Sequence, residues 1–247
     1  MAERTSRPPD RANDRPARAR VPVASTIMLP EALVFDFDGT LVDTETAEFE
    51  AVRQVWADHG AVYTHDRWQP WVGSLYAVPW IAELTDHIGS PLDERELHLR
   101  QRRYNRELLA TVLPRPGAAA LLEAAAAAGV PVAVASNAPA DWVEGHLGRL
   151  GLLDHFAAVV TVDRVGRGKP HPEPYLTAVA AVGASPERSV AFEDSLPGLR
   201  SALAAGLYSV AIPGPMSSGH DLADADLTVS SLAEVALDDL GRAVHAR

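Results

Sequence analysis

Cysteine is absent from the 247-residue chain. That excludes disulfides, thiolate nucleophiles and cysteine-ligated zinc or iron–sulfur centres, and it fits a reducing compartment, so a cytoplasmic protein is expected. No apolar run approaches the roughly 20 residues needed to span a bilayer, so no membrane partner is expected. Basic charge is also scarce: the formal net charge is -11, which argues against nucleic acid as a partner. An acidic chain that handles an anionic substrate needs a local positive centre, either a metal or isolated basic residues. What the chain does have is apolar material, 47% of its residues. That is enough for a sizeable core in one large domain, or in one domain carrying a smaller insert.

The first twenty residues hold six arginines, several prolines and almost nothing apolar. Residues 1–29 are therefore predicted to be a disordered arm, since little there offsets the entropy of ordering. Apolar runs that read as buried strands follow at Ala32–Phe37, Pro131–Ala135, Ala157–Val162, Ser189–Phe192 and Tyr208–Ile212. Such continuous runs mark parallel sheets covered on both faces. Between them the patterning predicts helices at Ala118–Ala128, Trp142–Leu150, Tyr175–Val182 and Leu199–Ala205. The alternation implies a doubly wound, Rossmann-like α/β sheet.

One stretch breaks the alternation. Residues 44–113 carry helical patterning (Thr44–His59, Val78–Ile88, Asp93–Leu113) and no convincing strand, which is too long for an ordinary connection. The reading is an α-helical cap, 44–113, inserted into a catalytic core made of 30–43 and 114–247. Pro114 and the Pro116-Gly117 pair mark the return to the core.

Four clusters of polar residues stand at strand ends. Asp36 and Asp38 follow the first strand and share a face of an extended chain, in the place where open α/β sheets bind ligands. Gly39 and Thr40 let the backbone turn and aim amides at an anion. Ser136-Asn137 follows the second strand and offers a hydroxyl and an amide to phosphoryl oxygens. Alone, the pair reads more simply as a helix cap. Lys169 stands in Gly168-Lys169-Pro170-His171-Pro172-Glu173-Pro174, where prolines stiffen its backbone. Glu193-Asp194-Ser195 follows another apolar strand. Clustering these acids near Asp36 and Asp38 is costly unless a cation is present. Three carboxylates and a backbone carbonyl, with waters and substrate oxygens, suit octahedral Mg²⁺.

The tracts FDFDGTLVDTE, SN, GKPHPEPY and FEDS, in this order, resemble the four motifs of the haloacid dehalogenase superfamily, from about Leu33 to Ile212. More narrowly they resemble its phosphatase and β-phosphoglucomutase-like branch. The resemblance implies that Asp36 is the nucleophile, forming an aspartyl-phosphate, and that Asp38 is the general acid and then the general base. It implies that Ser136 bonds the phosphoryl group with Asn137 supporting it, and that Lys169 offsets charge. Mg²⁺ would be held by Asp36, the backbone carbonyl of Asp38, and Asp194, with Glu193 a ligand or a partner of the ligands. Thr40 would also face the substrate.

The same resemblance sorts the chemistries. Carbon–halogen hydrolases of the superfamily usually lack an acid at the position of Asp38. A phosphonatase would need a cap lysine, and residues 44–112 contain none. Sugar phosphomutases commonly carry a cap histidine ten residues after the second Asp, and here that residue is Glu48. The primary expectation is a Mg²⁺-dependent phosphatase of a small phosphomonoester, with a sugar phosphomutase as the alternative and a non-catalytic binding protein behind both. A monomer or weak homodimer is expected. In the cap, Gly73 resembles the family's substrate loop, which makes Trp71, Ser74 and Glu48 candidate substrate contacts. Most of Trp56, Trp68, Trp71, Tyr76 and Trp80 are expected to pack between cap helices. The arginine that often follows that glycine is absent, which argues against a second strongly anionic group on the substrate.

Overall fold

The computed structural model describes residue 1 and residues 28–247. The predicted arm therefore falls almost wholly outside the described residues. Six strands, β1 (Ala32–Phe35), β2 (Val132–Ala135), β3 (Ala158–Val160), β4 (Ser189–Glu193), β5 (Tyr208–Ala211) and β6 (Leu227–Thr228), form one parallel sheet in the order β3-β2-β1-β4-β5-β6.

Strand β1 is central and buried on both sides, so its apolar run feeds two cores. Leu33 and Phe35 pack with Leu121 and Leu122 of α5 (Ala118–Ala128) and Leu147 of α6 (Ala140–Arg149). Val34 points to the other face, against Tyr175 and Val179 of α7 (Glu173–Ala181) and Ala202 of α8 (Leu196–Ala204). Phe35 stacks on Phe192 of β4 with ring centroids 4.5 Å apart. Each such side chain contributes about 1.5–3 kcal/mol through burial. The sheet is thus the expected doubly wound one, and its order switches direction between β1 and β4. The crevice at the carboxyl ends of those two strands is where this architecture places a ligand.

Residues 44–109 form a helical unit: α1 (Thr44–Asp58), α2 (His65–Trp68), α3 (Trp80–Ile88) and α4 (Glu94–Leu109). It has a core of its own, built on Val52, Val55, Trp56, Trp68, Trp80 and Leu84. Of the cap aromatics, Trp56, Trp68 and Trp80 are buried, whereas Tyr76 is exposed. Asp43 and Asp93 cap α1 and α4, accepting from the amides of Thr46 and Glu96 at 3.1 Å, each worth about 1 kcal/mol. The two chain crossings between unit and sheet lie side by side: Val42 bridges Pro114, and the Arg115 amide donates to the Leu41 carbonyl at 2.8 Å.

Several bounds differ from the sequence reading. Helix α4 stops at Leu109 rather than Leu113, because the residues before Pro114 are pushed out of helical geometry. Helices α7 and α8 start two and three residues earlier than the sequence reading, with Pro174 and Pro197 in their first turns, where a missing N–H costs nothing. The two-residue β6, the four-residue α2 and α9 (Leu237–His245) were not foreseen. No described helix is long and apolar enough to cross a membrane.

Candidate active site

Asp36 is the residue that follows β1, held by its amide donating to the Phe192 carbonyl at 3.0 Å. Its side chain is only 7% exposed. Lys169, the only lysine in the chain, donates from Nζ to Asp36 Oδ1 at 2.6 Å and to Glu193 Oε1 at 2.5 Å. It lies 5.0 Å from the centre of the Tyr175 ring, whose hydroxyl also donates to Glu193 Oε1, at 2.7 Å. Asp36 Oδ2 is buried and has no hydrogen-bond partner. One carboxylate oxygen is therefore fixed by an ammonium while the other is left unengaged.

Asp38 is held differently. Thr44, the first residue of α1, donates from its hydroxyl to Asp38 Oδ1 at 2.6 Å, and the Trp142 indole donates to the same oxygen at 2.8 Å. Trp142 comes from α6 and packs edge-on against His146, 4.5 Å between centroids. Burial raises the Asp38 carboxyl above the ordinary Asp range, and the two bonds pull it part of the way back. With Oδ1 occupied as an acceptor, the exchangeable proton belongs on Oδ2, which suits a general acid.

Asn137 serves as a brace. Its Oδ1 accepts from the Lys169 amide at 2.8 Å, and its Nδ2 donates to the carbonyls of Lys169 and Gly73 at 3.1 and 3.2 Å. It thus ties the lysine segment to the Gly73 loop, leaving its amide little to offer a substrate. Ser136 is buried, and its Oγ accepts from the Ala138 amide at 2.9 Å, so its hydroxyl proton remains available.

The acids converge as the strand ends predict. Ligand atoms of Asp36, Glu193 and Asp194 all lie within 4.8 Å of one another. Burial, then the Asp36, Glu193 and Glu45 charges, pushes Asp194 well above its usual range. Burial likewise raises Asp36, against the pull of Lys169. For Lys169 itself, burial lowers the pKa, and Asp36 and Glu193 more than offset this, so it stays charged. The single ammonium leaves the cluster of Asp36, Glu193 and Asp194 with excess negative charge, which a hard cation fits. The Glu193 oxygens are already engaged, Oε1 by Lys169 and Tyr175, Oε2 by the Ser195 amide at 3.4 Å and hydroxyl at 3.2 Å. Glu193 therefore suits anchoring Lys169 better than holding a metal, which leaves Asp36 and Asp194 as the side chains best placed for one. Gly39, at φ +83°, comes so close that a Cβ there would sit 2.2 Å from Asp194 Oδ2.

A cavity of about 380 Å³ opens over these groups. Asp36, Asp38, Ser136, Asn137 and Lys169 form its floor, and Glu45, Glu48, Ser74, Gln101, Arg102 and Asn105 of the helical unit line its other side. Burial, then Asp38, raises Glu48 to about 7, and burial, then Glu48 and Asp38, raises Glu45 to about 8. Of the substrate contacts predicted from sequence, Asn137, Glu48 and Ser74 reach this cavity. Thr40 and Trp71 are not among its lining residues, and Thr40 is fully buried.

Thr44, Glu45, Gln101, Arg102 and Asn105 were missed, as were Trp142 and Arg115. Trp142 lies 104 positions from Asp38, and in sequence it reads only as a helix start. Arg115 donates to the carbonyls of Gly39, Ile212 and Pro213, clamping the loops after β1 and β5. Its signal was the pair of prolines around it, the same stiffening that drew attention to Lys169.

Residues 30–206 match the family of haloacid dehalogenase-like hydrolases. The chain belongs to that family. It is 36% identical over 208 residues to the Bacillus subtilis protein YhcW, covering 84% of this chain and 94% of that one. It is 34% identical over 184 residues to the phosphorylated carbohydrates phosphatase of Thermotoga maritima, covering 73% and 83%. The crystal structure of CbbY from Rhodobacter sphaeroides in complex with phosphate superimposes with a TM-score of 0.68 at 31% identity, covering 83% of this chain and 96% of that one. This haloacid dehalogenase-like chain is a phosphoric monoester hydrolase.

Proposed function

We propose that the protein is a Mg²⁺-dependent phosphatase of a sugar phosphate or related metabolite, working through an aspartyl-phosphate on Asp36 in a reducing, cytoplasmic setting. The observation that carries this reading is the asymmetry of the Asp36 carboxylate. Lys169 holds Oδ1 at 2.6 Å, and Oδ2 is buried without a partner, so one oxygen is oriented and unquenched for attack. A carboxylate approaching a phosphate dianion meets like-charge repulsion, and Glu193 and Asp194 stand beside it as further acids. Bound at Asp36, Asp194 and the Asp38 carbonyl, Mg²⁺ would supply the charge that neutralises the transferring phosphoryl oxygens.

The chain's own residues carry the steps. Oδ2 of Asp36 forms a bond to phosphorus as the bond to the leaving oxygen breaks. Asp38 delivers its Oδ2 proton to that oxygen, so the product leaves as an alcohol. The covalent intermediate divides one difficult displacement into two easier ones. In the second step Asp38, now a carboxylate, takes a proton from the water that attacks phosphorus, and Asp36 and inorganic phosphate are released. Ser136 is placed to donate to a phosphoryl oxygen, and Lys169 keeps the nucleophile aligned in both steps. The helical unit, proposed as a cap over 44–113, brings Glu48, Gln101 and Asn105 to the leaving group, an array of acceptors and donors suited to hydroxyls.

The test is phosphate release from a panel of phosphomonoesters with Mg²⁺ or EDTA, comparing wild type with Asp36→Asn. Release that needs Mg²⁺ and disappears in the variant is expected. Release that survives the substitution would remove Asp36 as nucleophile. Interconversion of glucose phosphates without free phosphate would make the protein a mutase.

A further inference from the structure

A second cavity, about 810 Å³, opens between α4 and α6 and adjoins the catalytic one. The two share Arg102, Asn105, Pro139 and Trp142 as lining residues. A substrate whose phosphoryl group lies at Asp36 can therefore extend past Arg102 into the second space. We propose that this cleft is a subsite for a second anionic group at the far end of the substrate, bound by Arg102, Arg106 and Arg149. The proposal rests on the phosphatase reading of the adjoining site.

The arrangement of charge is what calls for a ligand. Arg102 and Arg106 are one turn apart on one face of α4, a spacing at which like charges repel and disfavour the helix. Arg149 enters from the end of α6. Several surface arginines are paired with acids, as in Arg67–Glu83 at 2.7 Å, Arg100–Glu96 at 2.5 Å and Arg164–Glu144 at 2.6 Å, while Arg95, Arg103 and Arg200 stand singly. Among the described residues Arg102, Arg106 and Arg149 have no acidic partner, although the chain carries a net charge of -11. Arg149 donates two bonds to the Val112 carbonyl, at 3.1 and 3.2 Å. These fix its guanidinium and leave its other donors unspent. Asp141 is the one acid lining the cleft, and its Oδ1 already accepts from the Trp142 amide at 2.9 Å.

Guanidinium groups present planar pairs of donors that match phosphate and carboxylate oxygens. Three of them in one cleft, unneutralised, are complementary to a dianion. The absence of an arginine after Gly73 argued against a second anionic group; here the cations come from α4 and α6 instead.

Fructose 1,6-bisphosphate, compared with fructose 1-phosphate and fructose 6-phosphate, tests this. Affinities are measured by titration calorimetry with Mg²⁺ in the Asp36→Asn protein, alone and with Arg106→Ala, Arg149→Ala or both, since these two line only the second cavity. The bisphosphate should bind at least about tenfold tighter than either monophosphate. Each arginine substitution should remove roughly five- to tenfold of that advantage while leaving monophosphate affinity within about twofold. Arg103→Ala, on α4 but stacked on Tyr104, should change neither. A bisphosphate that binds no tighter, or arginine variants that weaken all three esters equally, would overturn the subsite. Turnover of the monophosphates by the wild type is followed alongside. Arginine-dependent binding without turnover would support the subsite and remove the mechanism proposed next to it.

Discussion

Replacing Trp142 with phenylalanine isolates one interaction at Asp38. The indole is one of two donors to Oδ1, at 2.8 Å, with Thr44 at 2.6 Å as the other. Phenylalanine keeps the aromatic packing on His146 and deletes only the donor. A hydrogen bond to a charged group is worth about 1.5–3 kcal/mol. The lower end applies here, since Trp142 is only half-buried and Thr44 remains. About 1.5 kcal/mol lost from the transition state is roughly a tenfold fall in rate. The loss should depend on the leaving group. As Asp38 gives up its proton it becomes a carboxylate, and the missing donor raises the energy of that state. Sugar alcohols must be protonated as they leave, whereas nitrophenolate leaves without a proton. Steady-state phosphate release should therefore show kcat for a sugar phosphate falling about tenfold in Trp142→Phe while kcat for p-nitrophenyl phosphate changes less than about threefold. An equal fall on both substrates, or none on either, would refute a role for this bond in acid catalysis.

Three further outcomes follow from the same geometry. Lys169→Met leaves Asp36 and Glu193 buried without their cation; at about 3–5 kcal/mol it should lower the melting temperature by roughly 10 °C and abolish turnover, and a variant that melts with the wild type would show that the pair carries little. In EDTA, stability should fall as pH rises from 6 to 9. Burial raises Glu48 to about 7 and Glu45 and Asp36 to about 8 in the folded state, so the stability they contribute is complete below the ordinary carboxylate range and lost as pH passes through 7–8; melting curves should drop by at least roughly 2–4 °C over that window, with Mg²⁺ reducing the drop, and a melting temperature that rises instead contradicts the sign. Gly39→Ala forces a methyl against Asp194, at a φ of +83° that side chains avoid, and should cut kcat/KM by more than about 100-fold while raising the Mg²⁺ concentration for half-activity; normal Mg²⁺ dependence would argue that Asp194 is not a ligand.

How much of this was legible depended on range. β1, β2, β4 and β5 were visible because strands buried on both faces must be apolar throughout, and Gly129 closes α5 where the sequence places it. β6 was invisible because two exposed edge residues, Leu227 and Thr228, carry no periodicity. Helix α9 was legible but not read: Leu237, Leu240 and Val244 stand at the i, i+3, i+7 spacing of an amphipathic helix. Asp36, Asp38, Ser136, Lys169 and Asp194 could be found one at a time, since each stands at a strand end or in a stiffened loop. Trp142 could not, because its bond to Asp38 exists only once α6 is laid beside β1. The three arginines of the cleft were equally hidden: two lie on a helix of the insert, the third on a helix of the core, and only packing brings them together.

The solitary lysine has a consequence for chemistry done on the intact molecule. Lys169 is 3% exposed, held between two carboxylates, and followed by proline. Amine-directed reagents therefore find no side-chain amine on the folded surface, and a lysine-specific protease meets one peptide bond, which proline protects. Labelling of Lys169 becomes a signal that the floor of the cavity has come apart. Its rate, with and without Mg²⁺ or substrate, would report how often the site opens in a protein that otherwise looks folded.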